Sequence, residues 1–200
     1  MRTEQQLARK RKRRRRRMQV LVIYTAIAIG LAWFFESQAT TTIIFVRHAE
    51  QTSHDEADPS LSDAGKRRVA ELTRQLADAD VVAGIDAVYA TPLKRSLETA
   101  QPVADALDLP INSYDPADTE SVLETILKNH KGEIILVVGH SNTVPILIAN
   151  LGASKNVPPI AQNEFDNIYI ISIPWFGKTK TIRLRYGEPY VHDQPTPAAD

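Results

Sequence analysis

The chain predicts an α/β domain whose central strands are buried on both faces, preceded by one N-terminal hydrophobic helix. Three observations carry this. Near-continuous β-branched runs recur between residues 41 and 186. Apolar stripes of helical period fill the gaps between those runs. An uncharged stretch of 18 residues, 18–35, comes before all of them.

Residues 1–17 hold ten basic side chains, Arg2 and the run from Arg9 to Arg17. As a helix the stretch 18–35 spans ~27 Å, enough for the hydrocarbon core of a bilayer. Lys and Arg beside a spanning segment resist translocation, so 1–17 is expected to be a basic cytoplasmic leader and the remainder to lie outside the cytoplasm. Two readings stay open. The stretch is longer than an ordinary signal core and fits an uncleaved anchor, yet Ser37 and Ala39 are the small residues a signal peptidase needs, which fits cleavage after Ala39 and a periplasmic or secreted domain.

The domain proper, 41–186, follows in order. Residues 42–46 form the first expected strand, and Val69, Leu72 and Leu76 make a helical stripe after it. A strand is expected at 86–90. The stripe Leu93, Leu97, Ala100, Ala104 and Leu107 is then expected to be kinked or split at Pro102. A short run at 110–114 and a helix through Val122, Leu123, Ile126 and Leu127 come next. Residues 133–138 form a second fully buried strand, followed by a helix over 145–151 capped by Gly152. Two strands at 168–173 and 180–186 are joined by a turn at Phe176-Gly177-Lys178. In the last one Ile182, Leu184 and Tyr186 are expected inside and Thr181, Arg183 and Arg185 outside. Residues 187–200, with three prolines, read as a flexible tail.

Composition bounds the function. The formal charge is zero, 24 basic against 24 acidic residues, but residues 1–39 carry ten basic against two acidic and the rest carries 14 against 22. An acidic body makes nucleic acid an unsuitable partner. About 160 residues after the leader fit one domain. The 43% apolar and 24% charged content excludes a disordered chain. With no cysteine there is no disulfide, thiolate nucleophile or thiolate metal site.

In an open α/β sheet ligands bind beyond the C-terminal strand ends. Arg47-His48-Ala49-Glu50 follows the first strand, Thr91-Pro92-Leu93-Lys94-Arg95 the 86–90 strand, and Gly139-His140-Ser141-Asn142-Thr143 the 133–138 strand. Two histidines and two arginines thus converge on one rim without nearby fixed acids. Planar guanidinium groups that grip two oxygens at once favour phosphate, and the helix opening near Thr143 adds backbone N–H groups and the positive end of its dipole.

The sequence R-H-A-E, then T-P-L-x-R-S-x-x-T-A, then G-H-S-N-T, each after a strand, resembles the histidine phosphatase superfamily, also called phosphoglycerate-mutase-like. Leu61-Ser62-Asp63-Ala64-Gly65 also resembles the family's entry into its first helix. The resemblance implies a three-layer sandwich with a mostly parallel central sheet and a small single-domain phosphatase. It implies that His48 is the nucleophile, that Arg47, Arg95 and His140 hold the phosphoryl oxygens, and that neither metal nor cofactor is needed. The family's proton donor lies between the second arginine and the second histidine, where Asp115, Asp118, Glu120 and Glu124 are available. Asp115 is favoured, because Asp118 suits an N-cap and Glu120 the first turn after it. His54 stands where relatives often have a phosphate-holding Asn, and is expected either to bind substrate or to lie on the surface. Glu50 is expected to position an arginine or to be exposed; His130 and His192 read as surface residues.

The expected function is hydrolysis of a phosphomonoester or phosphohistidine outside the cytoplasm. The substrate is a small phosphorylated molecule such as an envelope sugar phosphate. Phosphoglycerate-mutase-like transfer is disfavoured by the short stretch between Arg95 and His140, which leaves little room for a cap. A catalytically weak, membrane-tethered phosphate-binding module is an alternative of another class, and a metallohydrolase built on His48, Glu50 and His54 is a third.

Overall fold

Strand β1, Thr40–Arg47, is buried along nearly its whole length, because its side chains supply both faces of a covered sheet. Ile43 and Phe45 join one core cluster, while Ile44 and Val46 join the other. The computed structural model describes residues 2–36, 40–53, 57–77, 84–154 and 156–190, in two units divided after Ala39. The expectations for His54, His192, the 37–39 cleavage site and 191–200 lie outside the described residues.

The first unit is one helix, α1, Arg2–Glu36, which runs through the basic leader as well as the apolar stretch. Arg and Lys are good helix formers, so the charge change does not interrupt it. It is long and apolar enough to cross a membrane by length and composition.

In the second unit β1 is followed by α2 (Asp63–Ala77), β2 (Ala87–Ala90), α3 (Lys94–Ala106), β3 (Ile111–Ser113), α4 (Thr119–Asn129), β4 (Ile134–Gly139), α5 (Thr143–Asn150), β5 (Asn167–Pro174) and β6 (Lys180–Arg185). The strands form one sheet in the order β3-β2-β4-β1-β5-β6. Its first four are parallel, β5 runs antiparallel to β1, and β6 antiparallel to β5. Helices α2 and α3 contribute Leu72, Ala100, Val103 and Ala104 to the core on one face. Helices α4 and α5 contribute Val122, Leu123, Ile126, Leu147 and Ile148 on the other. The result is the three-layer, mostly parallel sandwich. Each fully buried Leu or Ile stabilises it by about 1.5–3 kcal/mol.

Local signals place the helix ends. Ser62 caps α2, its Oγ accepting from Gly65 N at 3.1 Å, and Asp118 caps α4, accepting from Ser121 N at 3.0 Å. After α5, Gly152 adopts φ +66°, and the bonds Gly152 N to Ala149 O and Ala153 N to Ile148 O close the helix in a Schellman arrangement.

Four expectations are corrected. Pro102 does not split α3, because Val103 and Ala104, fully buried against the sheet, hold the last turn in place. In β6, Ile182 and Leu184 are 56% and 49% exposed: the strand is an edge paired only with β5, and Tyr186 alone turns into the core. His130 is no free surface residue, since its ring joins Tyr89 Oη at 2.9 Å to Glu133 Oε2 at 2.7 Å. The start of the expected tail is tied down: Arg68 donates to the carbonyls of Tyr186 and Glu188, and Tyr190 N donates to Asp166 at 2.8 Å.

Candidate active site

Register brings the three motifs together. Arg47 pairs with Gly139 across β1 and β4, and Ala90 with Val138 across β2 and β4. The chain therefore leaves the three strands at one level, with His48, Thr91 and His140 side by side. His48 N extends the ladder by donating to Gly139 O at 3.0 Å. The two imidazole rings meet edge-on with centroids 5.3 Å apart. Gly139 lets the start of α5 and the Tyr114 ring pack closely against this strand end, because a Cβ there would stand 3.0–3.2 Å from Val144, Tyr114 and Thr143.

Arg47, His48, Arg95 and His140 line one open cleft of about 620 Å3, with Gln51, Leu93, Pro116, Ala117, Ser141, Asn142, Thr143 and Gln162. Arg47 is caged by a loop that the sequence reading left unassigned. Its Nη1 donates to the carbonyls of Ala161 and Glu164 at 2.8 and 2.9 Å and its Nη2 to Gln162 O at 2.9 Å, while its guanidinium lies 4.0 Å over the Phe165 ring. Of five N–H groups three are taken. Those left are Nε–H, which is buried without a partner, and one Nη2–H, together a fork suited to two phosphoryl oxygens. Arg95 Nε is likewise buried and unpartnered.

The rim is not free of acids as expected. Asp58 accepts from Lys94 N at 2.9 Å at the start of α3, and this places it 3.9 Å from Arg95 Nη1. The loop folds back because Glu98 on α3 also accepts from Leu61 N at 2.7 Å.

His48 is 4% exposed. Its Nδ1 lies 2.8 Å from Ala49 O, and a carbonyl can only accept, so Nδ1 carries the proton and Nε2 the lone pair. Burial, then the nearby Arg47, His140 and Arg95, outweighs that bond and pushes the His48 pKa down to about 3. His140 is pushed down to about 4, by burial first and then by Arg95 and Arg47. Both rings are neutral at pH 7. Burial also lowers Arg47, to about 10, which leaves it charged.

The expected acid is not brought in. Asp115 Oδ1 accepts from Ala117 N at 2.9 Å in its own turn, and its side chain is absent from the cleft lining, where Pro116 and Ala117 stand instead. Asp118 is spent as a cap, and Glu120 and Glu124 are exposed on α4. Glu50 does position an arginine, but it is Arg68, at 2.8 Å. No group of three metal-ligating side chains occurs among the described residues. Sequence reasoning also missed Thr99, whose Oγ1 accepts from Ala49 N at 3.0 Å and so ties the His48 loop to α3. Thr91, read from the sequence as bonding locally near a helix start and left out of the catalytic set, does bond Ser96 at 2.8 Å but also stands 3.0 Å from His140 Nε2. Both threonines belong to the T-P-L-x-R-S-x-x-T-A motif, which was the available signal.

Comparison with known proteins fits this arrangement. The model of the histidine phosphatase superfamily (branch 1) matches residues 43–116. No curated protein sequence matches the chain. Among solved structures, the protein histidine phosphatase SixA complexed with tungstate superposes with a TM-score of 0.58 at 22% identity, over 72% of this chain and 96% of that one. A mycobacterial glucosyl-3-phosphoglycerate phosphatase gives 0.52 at 11% identity, over 66% and 90%. A phosphoserine phosphatase from Entamoeba histolytica in complex with phosphoserine gives 0.51 at 15%, over 66% and 90%. The chain therefore matches the histidine phosphatase superfamily in sequence over residues 43–116, and its domain has the fold of that superfamily's phosphatases.

Proposed function

We propose that the domain is a phosphatase working through a covalent phosphohistidine on His48. The observation that carries this reading is the neutral His48, with its lone pair on Nε2, lining one cleft with two arginines that each keep a buried, unpartnered Nε. The Nε2 lone pair attacks phosphorus in line, and the bond from phosphorus to the leaving group breaks with its electron pair going to that group, which takes up a proton. Arg47 and Arg95 stabilise the charge on the equatorial oxygens. Water then attacks phosphorus, the N–P bond breaks back to neutral His48, and orthophosphate leaves. The full chain is expected to turn over p-nitrophenyl phosphate and His48→Ala to be inactive; activity that survives in the variant refutes the phosphohistidine route, and none in either promotes the phosphate-binding module.

Among the described residues no carboxylate lines the cleft itself, and Asp58 at its rim is engaged by Lys94 N at 2.9 Å and stands 3.9 Å from Arg95 Nη1. This favours substrates whose leaving group departs without a strong acid. A phosphohistidine is one, since its imidazole accepts a proton from water before the N–P bond breaks. An alkyl phosphate such as an envelope sugar phosphate is the harder case. Turnover of phosphohistidine and aryl phosphates far above alkyl phosphates is the expected result, and equal rates refute it.

The basic run ahead of an apolar helix supports a domain outside the cytoplasm, tethered by α1 or released after Ala39. A C-terminal alkaline phosphatase fusion should be active and a fluorescent protein fusion dark; the reverse overturns the topology.

A further inference from the structure

The turn between β5 and β6 carries chemistry that the cleft does not use. Trp175 and Phe176 are 59% and 88% exposed, the most exposed large apolar side chains among the described residues of the domain. Lys178 and Lys180 follow them, both exposed, and residues 174–187 contain no acid at all. On a body that is acidic as a whole, this is a local basic and aromatic tip. Such a tip suits the boundary between lipid hydrocarbon and headgroups, where aromatic rings settle at headgroup level and lysine stems let the ammonium groups reach anionic phosphates.

Register shows which end of the sheet carries the turn. Pro174 pairs with Thr40, the first residue of β1, so the turn lies where the chain enters the domain. Only residues 36–39 separate Thr40 from the apolar stretch 18–35. Even fully extended, they let Thr40 stand no more than about 18 Å from the last residue of that stretch. With 18–35 in a bilayer, this end of the sheet is held close to the lipid surface.

We propose that the Trp175–Phe176 turn docks on the membrane, its two rings in the headgroup layer and Lys178 and Lys180 against anionic lipid phosphates. This rests on reading 18–35 as an uncleaved anchor. Across β1, the turn before β4 is tied to Thr41 by Gly132 N at 3.0 Å and brings exposed Lys131 to the same end, while Glu133 beside it is taken by His130 at 2.7 Å. The cleft opens at the other end of β1, about 23 Å away at about 3.3 Å per residue. Docking therefore leaves the cleft facing solution, as a soluble phosphorylated substrate requires.

The chain has two tryptophans, Trp33 and Trp175, so the full chain carrying Trp33→Phe reports Trp175 alone. It is reconstituted in vesicles of phosphatidylcholine and phosphatidylglycerol with brominated acyl chains, whose bromines quench a nearby indole. An interfacial segment lies ~5–10 Å deep, so Trp175 emission should fall by about half relative to unbrominated vesicles. Lys178→Glu together with Lys180→Glu, on the same background, should lose most of that quenching; equal quenching overturns the role given to the two lysines. Trp175→Phe reports Trp33 instead, which should be quenched whatever the turn does. Quenched Trp33 with unquenched Trp175 overturns the docking and leaves the anchor standing, whereas unquenched Trp33 refutes the anchored reading and the docking with it. Trp175 shielded from acrylamide but untouched by bromine would mean that a second copy of the chain covers the turn, which also overturns the inference.

Discussion

His48 Nδ1 and the carbonyl oxygen of Ala49, the next residue in the chain, are 2.8 Å apart, and this local bond decides which ring nitrogen reacts. The phosphoryl group should be carried on Nε2, detectable by phosphorus NMR of enzyme quenched in base. His48→Ala should lower kcat by at least about 1,000-fold, as loss of a covalent nucleophile does. A phosphoryl group found on Nδ1 would contradict the tautomer assignment.

Arg47 gives three of its N–H groups to the carbonyls of Ala161, Gln162 and Glu164, which fixes the direction of the other two. Lysine keeps the charge but has no planar fork, and it cannot meet three carbonyls and a ligand together. Arg47→Lys should therefore cost about 100- to 1,000-fold in kcat for p-nitrophenyl phosphate, the loss typical of one oxyanion-stabilising donor. A loss below tenfold would show that charge alone suffices.

The layers of the fold and the core of the site were legible because both follow from position along strands. A buried run ending in Arg47-His48 or Gly139-His140 delivers those side chains to one rim whatever the loops do. The Arg47 cage was not legible. It depends on backbone carbonyls at 161–164, which any residue supplies, held by Glu164 accepting from Ala161 N at 3.1 Å and pairing with Arg185 at 3.1 Å from a distant edge strand. The outward Ile182 and Leu184 were misread for a related reason: alternation shows that a strand has two faces, but not whether a helix covers either.

Asp115 was the favoured proton donor, and its carboxylate is engaged in its own turn. Asp115→Asn keeps a side-chain oxygen for Ala117 N, so kcat should stay within about twofold of wild type, as for a surface change away from the reacting atoms. A fall of 100-fold with a flattened pH profile would reinstate it as the acid.

Gly65, in the Leu61–Gly65 motif, packs its bare Cα against the loop after β1. A Cβ there would lie 2.2 Å from Glu50 O, the same carbonyl that accepts from Ser62 N at 2.9 Å. Backbone cannot swing aside as a side chain would. Gly65→Ala should destabilise the domain by about 1–3 kcal/mol, the range for overpacking, read from chemical denaturation. An unchanged midpoint would mean that α2 can shift away from the loop.

The two cleft histidines also set how the domain responds to acid. Their folded values, about 3 for His48 and about 4 for His140, lie below the ordinary 6.5, so the folded protein resists protonation that the unfolded chain accepts. Their contribution is complete above the unfolded value of about 6.5 and is lost as pH falls toward about 4, at up to about 1.4 kcal/mol per pH unit for each ring. Glu164 and Asp166, held low by hydrogen bonds and Arg185, still stabilise the fold in this range, so between pH 6.5 and 5 the part of the change that a His48 substitution removes belongs to that ring. Urea midpoints of the full chain should fall across it, and His48→Gln, which cannot titrate, should have a shallower slope. Equal midpoints at pH 7 and pH 5 would show that the two rings are solvated far more than their 4% and 8% exposure implies.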